Sequence, residues 1–224
     1  MSGETGYFRL QLLLREDILS GRISAGERLK VSDVAARYGT STNPAREALQ
    51  GLEGEGLVVI APNKGARVRP VDDDFVNNIF ELRGIIEPHL VRGFAEYATG
   101  DEVGQLSTLQ QACDAAVADG SYPAFHASNV AFHDYIIARH HNREAARIMT
   151  QHAAWVRALS RKNPLTLAQM RRSTQEHRDI LDAIRCGDPA EASAAATRHI
   201  QNSSTVVLGH MRRERASVIA HDLE

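Results

Sequence analysis

A chain of 224 residues is long enough for one large domain or two small ones, and 43% hydrophobic with 24% charged residues is the balance of an ordinary globular protein. A formal charge of −2 excludes a protein that coats polyanions, so any nucleic-acid contact has to be local. Two cysteines, Cys113 and Cys186, exclude a disulfide framework and a zinc ribbon. No apolar run approaches a membrane span and no basic-then-apolar leader opens the chain, so a cytoplasmic protein without membrane contact is expected.

The texture changes near residue 70. Before it, short segments are punctuated by Gly and Pro; after it come long amphipathic stretches. The joint reads VRPVDDD, where Pro70 stops one element and Asp72 to Asp74 suit the start of the next helix. The boundary is placed at 70/71, giving domains 1–70 and 71–224. In the first, Tyr7, Leu10, Leu14 and Ile18 make a helical stripe over 6–20 that ends at Ser20-Gly21. The stretch GRISAGERLK reads as a loop, and SDVAARYG as a short helix from Ser32 to a turn at Gly39. In NPAREALQGLEGEG, Asn43 suits the cap, Pro44 the first helical position, and Ala48, Leu49 and Leu52 the buried face. LVVIA and ARVRPV flank Pro62-Asn63-Lys64-Gly65, a hairpin signal.

Helix, helix-turn-helix and hairpin in that order make a winged helix-turn-helix. The second helix of such a pair enters the DNA major groove by its N-terminal end, here Ser41, Thr42, Asn43 and Arg46. Arg46 is suited to a bidentate guanine or phosphate contact. The hairpin adds Lys64, Gly65, Arg67 and Arg69 with no acid among them. Residues 1–70 hold ten Lys/Arg against eight Asp/Glu, a formal +2; with −2 for the whole chain, the rest carries −4, a sign that fits DNA on the N-terminal side. A small helical docking module with a solvated basic hairpin is the alternative.

The second half offers six helices, near 72–98, 101–118, 122–140, 142–161, 166–186 and 189–213, enough for an antiparallel bundle and a mainly α fold overall. His177 lies ten residues before Gly187 and His199 ten after Pro189. Two helices joined by that tight turn carry both imidazoles to one level, about 15 Å from the turn. Asn129 and His133, four apart in NVAFH, share a face of a third helix. Three inward histidines with an Asn oxygen make a plausible shell for one divalent transition metal per chain, zinc or nickel foremost; packed core histidines are the alternative. His140-His141 reads as a solvated helix end, and Glu176 points about 100° away from its neighbour His177, so no carboxylate is expected in the shell.

The run ILSG, AGERL, PAREAL, EGLV and NKGARV over residues 8–70 resembles the DNA-binding domain of GntR-type bacterial transcription regulators. ELRGIIEP at 81–88, NVAFHDYI at 129–136, Asn142, EHRDILDAI at 176–184 and His199 resemble the six-helix, VanR-like FCD effector domain of the family's FadR branch. The resemblance implies a homodimer on a pseudo-palindromic double-stranded operator, and a metal site made of Asn129, His133, His177 and His199. It further implies a small carboxylate effector held at that metal, with Arg83 closing the other side; an ion pair from Arg83 to Glu87 is the competing reading. The chain departs from the family at two places: Thr42 stands where an Arg is common, and Asn129 where an Asp is common. A repressor released by its effector is the expectation. A regulator that answers the ion alone, or a metal-dependent enzyme with a vestigial DNA-binding half, are the other classes.

Overall fold

The computed structural model describes residues 3–61 and 65–221, with side chains for 6–61 and 65–213. The chain divides into two compact units, residues 1–75 and 76–224. In the first, helix α1 (Gly3–Ser20) is followed by strand β1 (Arg28–Leu29), helices α2 (Val31–Arg37) and α3 (Thr42–Gly54), and strands β2 (Val58–Ala61) and β3 (Gly65–Val68). The strands pair antiparallel in the order β1-β3-β2. The expected stripe of α1 is buried at Leu10, Leu14 and Ile18, against Ala45, Ala48, Leu49 and Leu52 on the inner face of α3. At the rim, Glu55 takes Arg15 and Gln11 of α1, which ties that helix to the end of α3.

Three expectations about this unit are corrected. GRISAGERLK is not all loop, because Arg28 and Leu29 pair with Arg67 and Ala66. A two-residue strand has no period to read; it exists because β3 offers it an edge. The cap of α3 is Ser41 rather than Asn43, so Pro44 is the third helical residue. Proline is tolerated there because first-turn N–H groups have no partner in the helix. Arg69 is not a wing cation: its Nε donates to the Gly56 carbonyl at 2.7 Å and its guanidinium sits 5.4 Å from the Phe75 ring centroid. Lys64 and the hairpin tip 62–64 lie outside the described residues.

The second unit is built from α4 (Asp73–Tyr97, whose first turn belongs to the preceding unit), α5 (Gly100–Ala118), α6 (Tyr122–Arg139), α7 (Arg143–Lys162), α8 (Leu167–Arg185) and α9 (Pro189–His221). Local chemistry marks the starts. Thr99 with Glu102 and Thr166 with Gln169 form capping boxes, and Ser121 and Asn142 cap α6 and α7. The last helix runs past the expected residue 213 to His221. Gly187, at φ 65°, ends α8; Asp188 then donates to the Ala183 carbonyl and accepts from the Glu191 N–H, and Pro189 opens α9. The core joins Phe94 of α4, Leu106 of α5, Phe132 and Ile136 of α6, Ile180 and Ile184 of α8, and Ala192, Ala195 and Ala196 of α9. The small alanines of α9 let it lie close on α8. No helix among the described residues is long and apolar enough to cross a membrane.

His140 is not solvated as expected; it is 2% exposed, while His141 is exposed. Its Nδ1 accepts from the Asn142 N–H at 2.9 Å, and its Nε2 lies against Gly93 of α4, where an added Cβ would fall 2.1 Å from that nitrogen. Replacing Gly93 by Ala should therefore overpack the site and cost about 1–3 kcal/mol, read as a lower denaturant midpoint with an unchanged slope.

Candidate metal centre and nucleic-acid interface

In the first unit the N-terminal end of α3 is open. Ser41 sits at the cap with extended backbone (φ −87°, ψ 168°) but its side chain makes no capping bond. Ser41, Thr42, Asn43 and Arg46 are all exposed. A helix start with unfilled N–H groups attracts anions through its dipole, and Arg46 lies one turn along from it. Gly65, at φ 77°, adopts a conformation only glycine takes easily, and Arg67 stands out from β3 two residues later.

In the second unit the turn at Gly187 places α8 and α9 so that His177 and His199 meet, with ring centroids 4.7 Å apart. His133 of α6 joins them at 4.9 and 5.0 Å. One ligating nitrogen from each of the three lies within 4.8 Å of the others. Asn129, one turn before His133, is half-buried and borders the same cavity. His126, for which the sequence offers no partner, lines that cavity as well.

Two carboxylates stand behind the imidazoles, where none was expected. Glu87 of α4, 2% exposed, lies 2.7 Å from Nδ1 of His133. Glu176 lies 2.9 Å from Nδ1 of His199 and also accepts from Asn202 and Arg172. Glu176 does point away from His177, but it points toward α9, and that is where His199 sits. With each Nδ1–H donating to a carboxylate, the Nε2 lone pairs of His133 and His199 are free for a metal, the arrangement that fixes ring and tautomer in metal sites. Helical spacing suggests Glu87 only as a partner for Arg83. It is that too: Arg83 Nε and Nη2 donate to it at 3.1 and 2.9 Å.

The charges are consistent with this. Burial would push the Glu87 carboxyl up, but the Arg83 guanidinium, then His133, hold it well below the usual carboxylate range. Burial first, and the neighbouring imidazoles next, push His177 well below the ordinary histidine value. Burial also lowers His199, against the pull of Glu176. A metal needs neutral imidazole, and His177 is held neutral. Both of its ring nitrogens are buried without a hydrogen-bond partner, while Phe132 stacks flat on the ring at 4.4 Å and 4°. A buried imidazole with a fixed ring plane and no hydrogen bond to either nitrogen is suited to a metal. The residues fit a transition ion with open positions.

Beside them lies a cavity of about 250 Å³ bordered by Arg83, His133, Arg172, Glu176, His199 and Asn202. Phe80, Phe125 and Val206 supply apolar wall. A smaller cavity of about 70 Å³ is bordered by Glu87, His133 and Met149.

Residues 78–202 match the FCD domain model, and residues 7–68 match that of the bacterial regulatory proteins of the gntR family. The HTH-type transcriptional repressor GlaR of Escherichia coli (strain K12) is 28% identical over 198 residues, 84% of this chain and 89% of that protein. Among solved structures, E. coli McbR/YncC is similar with TM-score 0.70 at 19% identity, over 90% of this chain and 96% of that one. The Zn2+-bound FCD domain of TM0439 is similar with TM-score 0.51 at 17% identity, over 63% of this chain and 96% of that one. At such identities the likeness to solved structures is one of fold.

The buried imidazole has a pH signature in chelator-treated protein. His177 has a folded pKa below its ordinary 6.5, so the unfolded chain takes the proton first; its contribution is whole above 6.5 and is lost as pH falls toward the folded value. Glu87 acts in a lower window, whole above 4.5 and lost as pH falls through its depressed folded value. The denaturant midpoint should therefore drop between about pH 7.5 and about pH 5.5, before Glu87 titrates, and His177→Phe should shrink that drop.

Proposed function

The chain belongs to the GntR family of bacterial regulatory proteins, in the form that carries an FCD domain, and from that membership we propose a metal-dependent, acid-responsive repressor of transcription. Its relatives are named regulators, and it is a regulator rather than an enzyme. In this reading residues 1–70 bind DNA, and residues 71–224 hold the effector and pair two chains into a homodimer. Two-fold symmetry then matches a pseudo-palindromic operator, with Ser41, Thr42, Asn43, Arg46, Lys64, Gly65 and Arg67 at the duplex. The protein works in the cytoplasm.

The observation that carries the reading is the set of three imidazoles, two of them backed by carboxylates; those two, His133 and His199, border a cavity that also presents Arg83 and Arg172. His133, His177 and His199 would hold zinc or nickel, one per chain, with the Asn129 side-chain oxygen as an uncharged fourth ligand. When bound, the ion would supply a Lewis-acid centre for an effector carboxylate. Around it, Glu87 and Glu176 orient the rings, the two arginines complement the anion, and the aromatic wall excludes water. A cavity of about 250 Å³ beside the ligands favours an organic acid as the signal over the ion alone. An effector that prefers one arrangement of the bundle shifts DNA affinity by its differential affinity for the two.

Elemental analysis of protein purified without chelator should find about one transition ion per chain. His133→Ala should lose it, and Glu87→Gln should weaken it by about 10–100-fold. A folded wild type that neither carries nor rebinds zinc or nickel would sink the metal assignment. For the DNA half, Arg46→Ala should abolish operator shifts while size-exclusion still shows a dimer; operator affinity equal to wild type would remove Arg46 from the interface.

A further inference from the structure

The lining of the larger cavity sorts into charged groups that are paired and neutral groups that are not. Among the described residues, the ionised side chains that border it are Arg83, Arg172 and Glu176; Arg83 pairs with Glu87, and Arg172 with Glu176. These pairs cancel, so the positive charge left for a ligand is that of an ion at the imidazoles. The side chains of His126, Ser173 and Ser203 also border the cavity, are half-buried, and form no hydrogen bond within the described residues. Hydroxyls inside helices can fold back onto the carbonyl one turn earlier, as Ser107, Ser128, Thr150 and Thr205 do; Ser173 and Ser203 do not. Burial, and then Arg161 and Arg157, push His126 below the ordinary histidine value, so its ring is neutral and offers one donor and one acceptor. Ser173 lies one turn before His177 on α8, and Ser203 one turn after His199 on α9. Because α8 and α9 form a hairpin, both hydroxyls fall on the same side of the imidazoles, about 6 Å away along the helices. His126 lies two turns before His133 on α6, about 10 Å along.

We propose that the effector is a monocarboxylic acid carrying several hydroxyl groups, and that Ser173, Ser203 and His126 recognise those hydroxyls. The proposal rests on the reading of this cavity as an acid site and deepens it. A second carboxylate on the ligand would meet no uncompensated cation in the described lining. A bare alkyl chain would take three polar groups out of water and give them no partner. A hydroxylated chain answers both conditions: its hydroxyls donate to and accept from the two serines and the imidazole, and its C–H groups lie against Phe80, Phe125 and Val206. A site built to bond hydroxyls rejects the analogue that lacks them more strongly than an apolar pocket rejects one extra carbon.

The test is calorimetric titration of the full chain, reconstituted with zinc, against acids of one chain length. D-gluconate and D-mannonate are hydroxylated along the chain, hexanoate is bare, and adipate ends in a second carboxylate. Wild type, Ser173→Ala, Ser203→Ala and His126→Leu are compared, with thermal midpoints and zinc content taken to show that each is folded and loaded. At least one hydroxylated acid should bind wild type about tenfold tighter, or more, than hexanoate and adipate. Each variant should cut that preference over hexanoate by about two- to tenfold. If hexanoate or adipate binds wild type as tightly as the hydroxylated acids, or if the variants leave the preference unchanged, the hydroxyl subsite is overturned with the acid site intact. If no acid binds the zinc-loaded wild type, the acid-site reading falls and the subsite with it.

Discussion

One buried carboxylate sets the terms for the helical unit. Glu87 lies almost out of reach of water, where a lone negative charge would cost several kcal/mol. It stays charged because Arg83, one turn earlier on α4, pairs with it, and because His133 of α6 meets its other oxygen. The pair in turn fixes the plane of His133, and through it the centre on which His177 and His199 converge. His177, in the middle, is deprived of a proton by its burial and has no hydrogen-bond partner among the described residues. Such an arrangement suits a cation other than a proton.

Much of this was legible in the sequence, for reasons that can be named. The six helices of the second unit announce themselves through their period, and in the structure Thr99, Ser121, Asn142 and Thr166 each precede a helix and each bonds a first-turn N–H. Counting from the Gly187–Pro189 turn gave the shared level of His177 and His199, because rise per residue is the same on both sides of a tight hairpin. Other features depend on what a neighbouring helix presents. An angle on α8 says that Glu176 avoids His177, but not that α9 waits on its other side. His140 does end α6, as its polar sequence suggests, but the gap that buries it belongs to Gly93. Strand β1 and the true start of α3 are likewise made by partners in space.

The two units make opposite use of polar groups. At the start of α3 the polar side chains are exposed and the first-turn N–H groups have no side-chain cap, as a surface meant to be covered by something else requires. In the bundle polar groups are turned inward and several are paired: Gln110 Nε2 reaches the Thr174 carbonyl and Asp114, while the His177 nitrogens have no partner among the described residues.

The α8–α9 hairpin has a consequence for how the bundle assembles. His177, His199, Glu176 and Asn202 all belong to two helices adjacent in sequence, so half of the centre comes together locally, at small cost in chain entropy. His133 comes from α6, with the whole of α7 between. An ion held by all three would behave as a cross-link across that long loop. It would act least on the hairpin, which is already formed, and most on the docking of α6, so that the occupancy of the centre and the order of one particular helix would become a single equilibrium.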